Sequence, residues 1–137
     1  MNSKATIAVV DDNDLIRTTL ELILTKHGFI VLAFSCATEL LNSTALRDAD
    51  CVLTDLEMPK MDGCELQAYL ALIRPDLPVV FMTGNDDEQR RSSALRDGAF
   101  AYLRKPTPCA HLLAVLEDAA AGYGVRRGHL PRSYLVV

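Results

Sequence analysis

Apolar residues fall along this chain in two alternating rhythms, short unbroken runs and stripes at three- and four-residue spacing. The runs are Thr6–Val10, Ile30–Phe34, Cys51–Thr54, Val79–Met82 and Ala101–Leu103. Each is mostly apolar, as a strand covered on both faces must be. The stripes between them predict helices. One spans about Asp14–His27, with Ile16, Leu20, Ile23 and Leu24 on one face and Gly28 as its stop. A short helix follows around Thr38–Asn42. The next runs about Gly63–Arg74, with Leu66, Leu70 and Ile73 inward and Pro75 helping to end it. A fourth covers about Asp86–Asp97. The last covers about Pro108–Ala121, packing through Leu112, Val115, Leu116 and Ala119, with Pro108 tolerated in its first turn. Strands alternating with helices of this length predict an α/β fold, a doubly wound parallel sheet of five strands with helices on both faces. The fourth helix stands apart: DDEQRRSSALRD offers only Ala94 and Leu95 as apolar anchors, so it should be easier to shift than the others.

The charged residues follow the strands. Asp11 and Asp12 end the first, Asp55 the third and Lys105-Pro106 the fifth, while Thr83-Gly84 ends the fourth. In a parallel sheet the carboxyl ends open onto one crevice, so these groups should meet there. Crowded carboxylates raise one another's pKa, and a hard divalent cation such as Mg²⁺ relieves the conflict with oxygen ligands. An ionised aspartate beside such an ion can attack phosphorus and form an acyl phosphate, a reaction governed by positioning and charge neutralisation. Lys105 supplies positive charge; Thr83 and Gly84 offer phosphoryl oxygens a hydroxyl and backbone N–H groups. Asp14, Asp48 and Asp62 read as surface charges.

Composition narrows the partners. The chain has 137 residues and a net charge of −4, unevenly placed: residues 1–121 hold 11 basic against all 18 acidic residues, and the last sixteen add three arginines. An acidic body with a carboxylate corner repels nucleic acid, so direct nucleic-acid binding is not expected. No apolar run reaches the roughly 18–20 residues of a membrane span and no signal-peptide core is evident, so a cytoplasmic location is expected. Cys36, Cys51, Cys64 and Cys109 lack metal-ligand spacing and read as free thiols. His27, His111 and His129 read as surface or helix-end residues. Residues 1–121 read as one domain, and 122–137 as a short, basic, flexible tail.

The segments VVDDND at 9–14, TDLEMPKMDG at 54–63, VVFMTG at 79–84 and DGAFAYLRKP at 97–106 together carry a family resemblance. In their order and spacing the chain resembles the receiver domain of bacterial two-component response regulators, here as a stand-alone regulator. The resemblance implies a flavodoxin-like sheet in the order 2-1-3-4-5. It implies Asp55 as phosphoacceptor and Asp12 and Asp55 as Mg²⁺ ligands, with Asp11 acting mainly through a coordinated water. Glu57 would lend its backbone carbonyl, Lys105 would contact the phosphoryl group, and the bond to Pro106 would be cis. Thr83 is implied as switch hydroxyl and Tyr102 as switch aromatic, an inward ring filling space that Thr83 vacates. Glu57 and Asn85 should flank the path of an attacking water and tune phosphoryl lifetime, so neutralising Glu57 should change the dephosphorylation rate.

The implied partners are a sensor histidine kinase or histidine phosphotransfer protein as donor, and a downstream protein on the surface of helix four, strand five and helix five. Homodimerisation on phosphorylation is a further expectation. Three readings compete. A haloacid-dehalogenase-type phosphatase would use Asp12-Asn13-Asp14, but its further acidic pair has no counterpart here, since only Glu117 and Asp118, inside a helix, follow Lys105. A receiver-like module could dock without phosphorylation. The chain could also be the receiver part of a larger DNA-binding regulator.

Overall fold

The computed structural model of the chain describes residues 4–84 and 87–122. Strands β1 (Thr6–Val10), β2 (Ile30–Phe34), β3 (Cys51–Asp55), β4 (Val79–Thr83) and β5 (Ala101–Arg104) alternate with helices. These are α1 (Asp14–Lys26), α2 (Ala37–Leu41), α3 (Gly63–Ile73), α4 (Glu88–Arg96) and α5 (Cys109–Ala120). Every strand pairing is parallel, in the order β2-β1-β3-β4-β5. This is the doubly wound, flavodoxin-like arrangement, with its switch point between β1 and β3.

Alternation along the strands builds two cores, because successive side chains leave opposite faces. Ala8, Val10, Val52, Val79, Phe81 and Tyr102 meet Leu40, Leu66, Leu70 and Ala94 of α2, α3 and α4. Ile7, Val9, Leu53, Val80, Met82 and Leu103 meet Leu20 and Leu24 of α1 and Leu112, Val115, Leu116 and Ala119 of α5. Burying an aliphatic side chain of this size stabilises the fold by about 1.5–3 kcal/mol.

Three details depart from the sequence pattern. A 3₁₀ turn at Thr44–Asp48 precedes β3; it buries only Leu46, too little for a periodic signal. Ile73 was predicted inward but is 54% exposed. The buried stripe of α3 runs through Gly63, Leu66, Gln67 and Leu70, and its next position belongs to Arg74. The Arg74 guanidinium reaches back over the body to the carbonyls of Leu46 (2.9 Å) and Ala49 (3.4 Å). Finally, α4 begins at Glu88, with the Asp87 side chain accepting from the N–H groups of Gln89 and Arg90. The predicted start of that helix at Asp86, the candidate Asn85 and nearly all of the predicted tail lie outside the described residues.

The sequence pattern read α4 as poorly anchored, and only its Ala94 is buried, with Leu95 partly so. Its last turn gives way at Gly98, whose φ of +103° suits glycine.

Candidate functional site

The register of the central strands assembles the site. Val10 pairs with Thr54, so the residues that follow, Asp11 and Asp55, emerge side by side at the carboxyl edge. Carboxylate oxygens of Asp11, Asp12 and Asp55 all lie within 4.8 Å of one another. Asp11 is buried, its side chain 2% exposed, and Asp12 faces solvent. The Asp11 backbone is held from both sides: its N–H donates to the Phe34 carbonyl (3.1 Å), and Arg17 donates to its carbonyl (2.7 Å). Asp11 Oδ1 also accepts from the N–H of Asn13 (2.9 Å), and Asn13 in turn caps α1.

Lys105 enters from β5. Its Nζ lies 3.4 Å from Asp11 Oδ2 and 3.3 Å from Asp55 Oδ2, so one ammonium bridges two carboxylates from two other strands. The backbone places it there: the Lys105 N–H donates to the Thr83 carbonyl (2.8 Å), and the bond to Pro106 is cis, as expected. Burial pushes the Asp55 carboxyl above its ordinary range, and the Lys105 charge offsets this only in part. The N–H of Glu57 donates to Asp55 Oδ1 (3.2 Å).

These donors suit a hard cation. All three side chains are carboxylates, they converge, and the Lys105 ammonium faces two of them. Thr83 closes β4 beside them, 1% exposed. Tyr102 pairs with Phe81 across β4 and β5 and is fully buried, its ring 6.3 Å from that of Phe81. Its ring therefore points inward, toward the core that α4 covers.

Two features escaped the sequence reading. Asp62, which its position alone marks as a surface charge, caps α3: its side chain accepts from the Glu65 N–H while the Glu65 side chain accepts from the Asp62 N–H. The D-x-x-E spacing was a usable signal for this capping box. Arg90 of α4 pairs with both Glu57 (3.2 Å) and Asp62 (3.1 Å), a contact that no local spacing announces. The thiols of Cys36, Cys51, Cys64 and Cys109 are free. His27 ends α1, as a helix-end residue, and its Nε2 meets Glu117 at 2.9 Å.

Comparison with known proteins gives the geometry its family. The chain is 37% identical over 120 residues to the DNA-binding transcriptional regulator NtrC of Proteus hauseri, covering 88% of this chain and 25% of that protein. It is 33% identical over 119 residues to the transcriptional regulatory protein FixJ of Bradyrhizobium diazoefficiens, covering 87% and 58%. It thus spans about a quarter of the first relative and under two-thirds of the second. A receiver domain protein from Clostridium thermocellum superposes with a TM-score of 0.82 at 31% identity, covering 89% of this chain and 98% of that one. The receiver domain of nitrogen regulatory protein C gives 0.77 at 36% identity, covering 87% and 96%. The family model for the response regulator receiver domain matches residues 7–117, and with this fold and this acidic corner the chain belongs to that family.

Proposed function

We propose that this receiver accepts a phosphoryl group on Asp55 from a phosphohistidine of a sensor kinase or phosphotransfer protein, and signals through a partner protein. The observation that carries the reading is Lys105 Nζ seated between Asp11 and Asp55 inside a cluster of three carboxylates. In the reaction, an Asp55 oxygen attacks phosphorus, the bond from phosphorus to the histidine nitrogen breaks, and the imidazole leaves with its electron pair. Asp11, Asp12, Asp55 and the Glu57 backbone carbonyl would hold Mg²⁺, which when bound supplies positive charge to the phosphoryl oxygens. Lys105 neutralises charge on the opposite side, and the Thr83 hydroxyl takes a phosphoryl oxygen.

The product carries about −1.5 to −2 charges, and three more acceptor oxygens, where one carboxylate of charge −1 stood. Thr83 and Tyr102 would carry that change to the surface of α4, β5 and α5, where a target or a second copy binds. Glu57 and Asn85 would tune how long the group survives. The domain modifies its own Asp55 and, the phosphodonor aside, acts on no external substrate; among the described residues no helix is long and apolar enough to cross a membrane. Cytoplasmic action and the absence of direct nucleic-acid contact belong to the same proposal. A second reading, a receiver acting within a larger DNA-binding regulator, is favoured by the similarity to NtrC; intact mass of the endogenous protein tests it.

The central test is intact mass after incubation with acetyl phosphate and Mg²⁺, for the native chain and Asp55→Asn. One added phosphoryl group in the native chain alone supports the proposal. No addition, with metal bound and the fold intact, overturns it in favour of a module that docks without phosphorylation.

A further inference from the structure

Apolar burial does little to hold α4 in place, so polar contacts must do much of it. Two of them reach α3 and the loop before it. Near the C-terminal end, the buried Gln67 of α3 donates from Nε2 to the Ala94 carbonyl (3.2 Å). At the N-terminal end, the Arg90 guanidinium serves two carboxylates, Nη1 meeting Glu57 Oε2 at 3.2 Å and Nη2 meeting Asp62 Oδ2 at 3.1 Å. The Arg90 side chain is 30% exposed; its Asp62 arm is partly buried, and its Glu57 arm is open to solvent.

The two carboxylates differ in what they are fixed to. Asp62 is locked into the α3 capping box, with Oδ1 already taken by the Glu65 N–H. Glu57 lies in the acceptor loop, and its own N–H donates to Asp55 Oδ1 at 3.2 Å. One residue therefore touches the acceptor carboxylate with its backbone and α4 with its side chain. A planar guanidinium holding two acceptors at once transmits a displacement of either, because its fork is rigid.

We propose that Arg90 is a positioning residue that ties α4 to the acceptor loop, using Asp62 as a fixed anchor and Glu57 as the arm that senses Asp55. The proposal rests on Asp55 being the phosphoacceptor. Forming the acyl phosphate on an Asp55 oxygen redistributes the carboxyl's charge and alters the acceptor of the Glu57 N–H. The Glu57 backbone then shifts, its side chain draws on or releases Arg90, and α4 follows at its N-terminal turn. The clasp also occupies the Glu57 carboxylate, so losing Arg90 changes how that side chain is held next to the acceptor loop.

The test combines amide hydrogen exchange across residues 88–96 with the dephosphorylation rate, in native protein, Arg90→Ala, Arg90→Lys, Glu57→Gln and the double variant Glu57→Gln/Arg90→Ala. Arg90→Ala should speed exchange in α4 several-fold before phosphorylation and abolish the further change that phosphorylation causes. Arg90→Lys, a point charge that cannot span both carboxylates, should fall between. Glu57→Gln and Arg90→Ala should each change the dephosphorylation rate by more than twofold, and the double variant should match one single variant. A purely structural arginine would leave the two rate effects multiplicative, and that result, or native exchange in Arg90→Ala, overturns the proposal. Failure of the phosphoacceptor reading is seen separately, as no added mass in any variant, native protein included.

Discussion

Gly63 opens α3 directly beneath the acceptor, and it is the position where one added methyl group should do most harm. A Cβ there would stand 2.6 Å from the Asp55 carbonyl oxygen, 2.8 Å from Phe81 Cε1 and 3.0 Å from Leu56 Cα, where ordinary contact begins at 3.4 Å. Two of these atoms are backbone, and the third belongs to a ring that is fully buried. None can swing aside. Gly63→Ala must therefore lift α3 from the sheet or displace the Asp55 backbone, and overpacking of this kind costs about 1–3 kcal/mol. The helical preference of alanine opposes it by at most about 1 kcal/mol, and less at a first helical position. A net loss of about 1–2 kcal/mol should lower Tm by roughly 5 °C or more in a domain of this size.

Urea unfolding followed by circular dichroism measures the loss, and the initial rate of acyl phosphate formation measures displacement of the acceptor. Gly28→Ala is the control. Its φ of +105° makes alanine unfavourable by about 1–2 kcal/mol, yet a Cβ there meets nothing within 4 Å. It should lose stability and keep native phosphorylation. If Gly63→Ala melts at or above the native temperature and phosphorylates normally, α3 does not pack on Asp55 as described.

In EDTA, Asp55→Asn should be more stable than the native protein at neutral pH. Burial raises the Asp55 pKa, so ionisation penalises the folded state. The native protein then loses stability as pH rises from the ordinary carboxylate value through the raised one, and the variant does not. Parallel stability curves from pH 3 to pH 7 would refute this. Mg²⁺ at about a hundred times its Kd should add about 2.7 kcal/mol, seen as a rise in Tm, and Asp11→Asn should remove most of it. An undiminished rise in Asp11→Asn would place the ion elsewhere. Finally, Cys109 is exposed and the Cys36 thiol is lowered by its hydrogen bond with Thr38, so both should alkylate in the native state. Cys51 is fully buried with its thiol pushed up and should react only on unfolding; native-state labelling of Cys51, read by peptide mass mapping, would contradict its place in β3.

The element order, the parallel sheet and the meeting of Asp11, Asp12, Asp55 and Lys105 were legible in the linear chain for one reason. Strands buried on both faces must be apolar runs, and a parallel sheet sends all their carboxyl ends to one edge, so the residue type after each run reports what that edge contains. Such information is local. The capping box at Asp62 is equally local, carried by its D-x-x-E spacing. Ile73 and Arg74 mark the boundary: helical periodicity alone brings both near the inward face. Only the carbonyls of Leu46 and Ala49, presented by a 3₁₀ turn some twenty-five residues away in sequence, made the guanidinium the inward neighbour. The same holds for Gln67 and Arg90. A polar side chain's value depends on which acceptors the fold brings within about 3 Å, and those acceptors come from other elements. The sequence by itself determines which segments are apolar enough to enter the core. Which of two neighbouring residues turns inward, as with Ile73 and Arg74, and every directed polar contact are set by distance and angle, which only the tertiary structure decides.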